Sequence, residues 1–123
     1  MKEFIVPLVA MGKPRMTRRD KWAKRDCVVR YREFCDLLRE YCDPLPPDPV
    51  YLEWIAYFPI PGSLSQKKAA DLVGQHHRVK PDRDNIDKAI MDALFRDDQR
   101  VAVGAQEKRY DDGHGPRIVI RVE

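Results

Sequence analysis

Between Val50 and Phe58 the chain alternates, with Val50, Leu52, Trp54, Ala56 and Phe58 on one face and Tyr51, Glu53, Ile55 and Tyr57 on the other. A period of two predicts a strand, and apolar residues on both faces place it centrally in a sheet. From about Arg25 to Tyr41 the period lengthens: Val28, Tyr31, Phe34, Cys35, Leu38, Tyr41 and Cys42 recur at three and four, the spacing of an amphipathic helix. A second stripe of Ile86, Ala89, Ile90, Ala93 and Leu94 predicts another helix. Asp84 is its expected N-cap, because Pro81 biases Lys80 towards extended backbone.

The remaining elements follow from punctuation. Residues 3–10 read as a first strand, with Pro7 marking an edge or an end. Four prolines in the seven residues Asp43 to Pro49 make a stiff connector between the first helix and the central strand. Ser63 to Val73 holds a short helix opening near Ser65, and Val101–Tyr110 and Pro116–Val122 read as two final strands. The glycines of Asp111-Asp112-Gly113-His114-Gly115 permit a tight turn between them. The order β-α-β-α-β-β implies an α+β (mixed α/β) fold in one domain spanning residues 1–123.

Composition adds the environment. A chain of 123 residues has room for one domain that buries about two-thirds of its unfolded surface. Net charge is only +3, but 35% of the residues are charged and they are segregated, so local patches matter more than the total. Cys27, Cys35 and Cys42 are odd in number and form no Cys-x-x-Cys pair, which argues for reduced thiols in a cytoplasm. Cys35 and Cys42 share the first helix's apolar face, the position of core residues. No leader-like segment or long apolar run is present, so the expectation is a soluble cytoplasmic protein with no membrane association.

Charge is concentrated in two places. Seven of the thirteen residues from Lys13 to Arg25 are basic, and too few are apolar to form core. A solvated loop would have this composition, but an acidic cluster elsewhere in the chain favours phosphate contacts by Lys13, Arg15, Arg18, Arg19, Lys21 and Lys24. Trp22 in that run is expected to pack on the domain edge. His76 and His77 are expected to be polar loop residues or phosphate contacts, since adjacent histidines rarely chelate one ion.

The second concentration is acidic: six carboxylates fall between Asp82 and Asp98. On an extended segment, Asp82 and Asp84 would point the same way, offering two hard oxygen ligands that suit Mg²⁺. Asp84, Lys88 and Asp92 follow at steps of four, a column down one side of the helix, with Asp92 expected to hold Lys88 in place. An N-cap followed by a solvated ion-pair face would explain the same spacing. Asp97-Asp98 tilts the balance, because a strand starting near Val101 beside the segment ending at Lys80 would return a third carboxylate to the pair. Three converging carboxylates repel one another, and a divalent cation resolves that conflict.

The pattern Lys80-Pro81-Asp82-x-Asp84-Asn85-x-x-Lys88-x-x-x-Asp92-Ala93-Leu94, followed by Asp97-Asp98-x-x-Val101, resembles the signature of the RusA family of Holliday-junction resolvases. The likeness extends through Phe58-Pro59-Ile60-Pro61, Ser65-Gln66-Lys67-Lys68, His77 and Gly12-Lys13-Pro14-Arg15. It implies a mixed sheet and a homodimeric, Mg²⁺-dependent endonuclease (Mn²⁺ as substitute) that makes paired nicks at four-way DNA junctions in recombination and repair, in a bacteriophage or prophage setting. It also implies Asp82, Asp84 and Asp98 as metal-binding catalytic acids and Lys88 as the catalytic lysine. Only Phe95 and Arg96 join the helix to the Asp pair, shorter than in many relatives, so Asp97 stands as the alternative to Asp98. The competing readings are a branched-DNA binder that does not cut and a metal-dependent phosphoesterase of nucleotides.

Overall fold

The computed structural model describes residues 1–15 and 26–123. Along the chain run β1 (Lys2–Val6), α1 (Asp26–Tyr41), β2 (Tyr51–Phe58), α2 (Gln66–Leu72), α3 (Arg83–Leu94), a 3₁₀ turn at Asp98–Arg100, β3 (Val103–Tyr110) and β4 (Arg117–Val122). The fold is mixed α+β, with one four-stranded mixed sheet in the order β1-β4-β2-β3. β2 is central, as its alternation predicts: Leu52, Trp54, Ala56 and Phe58 are buried, and the intervening residues are partly exposed.

One face of the sheet meets α1 and α3. Tyr31, Phe34 and Leu38 of α1, Ile86, Ala89, Ile90 and Ala93 of α3, and Trp54, Ile118 and Ile120 of the sheet form a continuous core. Both helices are built on the expected stripes, because residues three and four apart share a helical face. A second link joins their ends: Arg39 Nε of α1 donates to Ala93 O of α3 at 2.8 Å, satisfying a carbonyl that the helix end leaves open. Cys35 and Cys42 lie in this core as free thiols, and burial pushes the Cys42 thiol up to about 12. The opposite face of the sheet carries Tyr51, Glu53, Ile55 and Tyr57, and Ile5 there is 62% exposed. α2 contributes no buried residue.

Three details depart from the expectations. α3 starts at Arg83 with Asp82 as its N-cap, so Asp84 lies inside the first turn. β3 starts at Val103, because the residues before it form the 3₁₀ turn and both Ala102 N–H and Val103 N–H donate to Val50 O. β3 and β4 are not neighbours: β2 pairs in parallel with β3 and antiparallel with β4, so the intervening chain crosses β2. Asp111 Oδ1 organises that crossing by accepting from Gly113 N–H at 3.0 Å and Gly115 N–H at 2.9 Å, with both glycines at positive φ. A short polar segment therefore does the work expected of a hairpin turn, over a span of about two strand spacings.

β3 is an edge strand that is only partly covered. His76 bridges Arg109, His77 N–H donates to Lys108 O, and Tyr110 N–H donates to Gln75 O. Among the described residues no strand lies beside Val103–Glu107 on that outer side.

The β2–β3 pairing has one tight point. A Cβ built on Gly104 would lie 1.9 Å from Leu52 O, its register partner's carbonyl. Gly104→Ala must displace the β3 backbone, and about 2 kcal/mol of stability is expected to be lost. Urea unfolding of this variant beside Ala105→Ser, an exposed neighbour, checks it; equal midpoints would show that the strands do not approach so closely.

Candidate functional site

The segment that leads into α3 is held from β3. Lys108 Nζ donates to Val79 O and to Pro81 O, both at 2.6 Å, stapling the chain one residue before Asp82. Lys108 sits beside Ala56 in the β2–β3 register, on the face that meets α3. It was missed from the sequence, although a lysine between Gln106 and Tyr110 on a core-facing strand position is a signal in retrospect: a cation on the core side needs local acceptors.

Asp82 caps α3 in extended backbone (φ −69°, ψ 144°) without a side-chain capping bond, and Asp84 lies in the first turn. The expected extended alternation of the two is thus replaced by a helix start. Both carboxylates are exposed, and neither makes a hydrogen bond or ion pair with any described residue. The N-terminal end of the helix dipole favours negative charge there, so two anions are tolerated side by side. Lys88, one turn on, is also exposed and likewise unpaired among the described residues.

The N-terminal basic residues reach the same helix. Lys13 N–H donates to Asn85 O at 3.3 Å, and a Cβ on Gly12 would lie 2.4 Å from Asn85 Nδ2, which explains a glycine at that contact. Lys13 Nζ lies 3.7 Å from Asp92 Oδ2. Asp92 also accepts from Tyr31 Oη at 2.7 Å, so it serves Lys13 and Tyr31 instead of holding Lys88 as expected. Asn85, Lys88 and Asp92 share one helical face, which lines Lys13 up alongside Lys88. Arg15 is exposed at the edge of the described segment, whereas Arg18, Arg19, Lys21, Lys24 and Trp22 lie outside the described residues.

Asp97 and Asp98 are not brought to this pair. α3 is twelve residues long and rises about 17 Å, with Asp82 at one end and Asp98 four residues beyond the other. β3 does run beside the segment ending at Lys80, but through Lys108 and Arg109 near its finish; its beginning lies near the end of α3, where Leu94 and Val101 line one cavity of about 350 Å³. A strand returning antiparallel after a helix brings its far end back to the helix start, and Asp98 precedes the strand. Among the described residues no three His, Cys, Asp or Glu side chains are grouped to hold a metal ion. Asp82 and Asp84 nonetheless suit Mg²⁺, which is commonly bound by one or two carboxylates and otherwise by water and phosphate.

Two neighbouring residues turn out to be structural. Asp87 Oδ1 accepts from Trp54 Nε1 at 2.9 Å, satisfying the indole that β2 buries. His77 is buried, not a loop contact: its ring stacks on Phe58 with centroids 4.0 Å apart and lies 4.8 Å from Tyr110.

A family model described as Endodeoxyribonuclease RusA matches residues 6–123 of the chain. No curated protein and no solved structure matches it.

Burial, and then the nearby Lys108 charge, hold the His77 imidazole below its ordinary value, and its Nδ1 is buried without a partner. The unfolded chain takes up this proton near pH 6.5, about the ordinary value, while the folded chain resists it. His77 therefore leaves stability intact above that pH and costs stability as the pH falls below it. Urea midpoints at about pH 7.5 and 5.5 should converge in His77→Phe, which keeps the ring stack and removes the titration; an unchanged difference would contradict a neutral, buried imidazole.

Proposed function

Because the chain belongs to the RusA endodeoxyribonuclease family and is thus a hydrolase of DNA phosphodiester bonds, we propose that it resolves four-way junctions by metal-dependent, paired symmetric nicks made by a homodimer in recombination and repair. The observation that carries this reading is the start of α3: two exposed carboxylates, Asp82 and Asp84, unpartnered among the described residues, with Lys88 one turn on and the Lys13 ammonium farther along the same helix at Asp92. Two hard carboxylates of this kind would suit a divalent cation acting on a phosphodiester, Mg²⁺ in the first instance and Mn²⁺ as substitute.

Asp82 and Asp84 would hold the cation, which when bound supplies an activated water and neutralises charge developing on phosphate. Lys88, one turn from Asp84, would offer its ammonium to the charge developing on that phosphate. Lys13, and beyond it Arg15, Arg18, Arg19, Lys21 and Lys24, would bind the backbone without reading bases, as suits recognition of junction shape. The N-terminus of α3 adds a field that favours the phosphate.

Asp98 enters this reading through a second copy. The uncovered outer edge of β3 over Val103–Glu107 is a ready strand-pairing surface. Antiparallel pairing of two such edges about a two-fold axis turns the Asp98 end of one copy towards the Asp82 end of the other. Two equivalent composite sites then face a two-fold junction, which symmetric nicking requires.

Cleavage of a labelled four-way junction and of linear duplex, with Mg²⁺ and with chelator, tests the reading. Wild type should give paired nicks only on the junction and only with metal, and Asp84→Asn should lose more than about a hundredfold in rate. Mixing Asp84→Asn with Asp98→Asn should restore nicking at one of two positions, since one composite site in the mixed dimer keeps both carboxylates. Mixtures as inactive as each parent would rule out the shared site, and a wild type that cuts duplex and junction alike would rule out resolution.

A further inference from the structure

Three parts of the fold meet on one oxygen. Tyr31 Oη of α1 donates to Asp92 Oδ2 of α3 at 2.7 Å, and Lys13 Nζ of the N-terminal segment lies 3.7 Å from that same atom. Tyr31 is only 2% exposed, whereas the side chains of Lys13 and Asp92 are 37% and 48% exposed. An ion pair so open to water contributes little by itself and does not hold a flexible lysine in one place. The buried phenol changes this, because it fixes the carboxylate's position from inside the core.

Resting on the junction-cleaving reading above, we propose that Tyr31 and Asp92 form an anchor that seats Lys13 beside Lys88 on the face of α3 that meets the DNA, making Tyr31 a positioning residue for phosphate binding. Two observations support it independently of the pair, and a third comes from the pair's own length. The Lys13 N–H is donated to Asn85 O, so the backbone at this point is already tied to α3. Gly12 packs against the Asn85 amide, where an added Cβ would lie 2.4 Å from Nδ2, so the segment runs close along the helix at this point. At 3.7 Å the ammonium is beyond an ordinary hydrogen bond, so its donors remain available to a phosphate while Asp92 holds the charge in register.

The anchor also solves an electrostatic conflict. Lys13 and Lys88 would repel one another on a shared face, and the anion of Asp92 offsets that repulsion. Burial first, and then the hydrogen bond to Asp92, raise the Tyr31 hydroxyl above its ordinary value, which keeps it a donor to Asp92 at neutral pH.

Tyr31→Phe keeps the ring in the core and removes the hydroxyl that donates to Asp92. Equilibrium binding of a four-way junction, with chelator to prevent cutting, should weaken about tenfold in this variant and in Lys13→Ala. The slope of log affinity against log salt should fall by about one in each, the loss of one phosphate contact. The double variant should bind no more weakly than Lys13→Ala within about twofold, because both changes remove the same contact. A purely structural Tyr31 would lower the unfolding midpoint, leave the salt slope unchanged and add to Lys13→Ala.

A DNA-free readout accompanies these. Amide hydrogen exchange at Lys13 should quicken in Tyr31→Phe while core amides of β2 keep their protection. Unchanged exchange at Lys13, or additive binding losses, would overturn the anchor. A wild type that binds the junction with these slopes and exchange rates but never cuts it would overturn the resolvase reading and leave the anchor standing.

Discussion

The seating of α3 on the sheet is the constraint on which the site depends. Ile86, Ala89, Ile90 and Ala93 are buried against β2, β4 and α1, and the Trp54 indole donates to Asp87 on the flank of that stripe. An apolar stripe alone permits a helix some rotation about its axis. A directed hydrogen bond from the most deeply buried ring of β2 removes that freedom. With Asp87 turned to the sheet, Asp84 and Lys88 have only the outer face left, and the carboxylates at the helix start stay in water, where ions and phosphates can reach them.

Holding that helix start in place falls to groups that are not themselves reactive. Lys108 staples the incoming backbone through two carbonyls, and His77 wedges the preceding turn between Phe58 and Tyr110. On the other flank, Gly12 and Lys13 pack on Asn85 while Tyr31 braces Asp92. Rigid support of this kind matters for metal-assisted phosphate chemistry, where small displacements of a carboxylate cost much of the rate. It also explains why a chain with a net charge of +3 tolerates six carboxylates in seventeen residues: Asp87 and Asp92 are used in packing, Asp82 and Asp84 gain from the helix dipole, and Asp97 and Asp98 lie at the remote end.

That remote end gives the architecture its most consequential feature. The twelve residues of α3, a rise of about 17 Å, lie between the two acidic groups in one copy. If the carboxylates act together, they do so between copies, and the open edge of β3 supplies a surface for that. On the reading proposed above, symmetry of the substrate and symmetry of the protein would then meet in one requirement, each copy supplying part of the other's ligand set.

Much of this protein was legible in its sequence. Periods of two and of three to four along the chain marked β2, α1 and α3, because strand and helix geometry act on near neighbours and leave the same trace wherever a core is formed. The acidic motif and the basic run, with Gly12-Lys13 near one and Asp82 in the other, were equally visible as residue types, and the family followed from them. Direction and partnership were decided by tertiary structure. Whether β3 lies beside β4 or beyond β2, which end of β3 returns to α3, that Asp82 and not Asp84 caps the helix, and that Tyr31, His77 and Lys108 support the site all depend on contacts between residues far apart in the chain. Such contacts are set by sheet order and crossover, which local spacing does not encode.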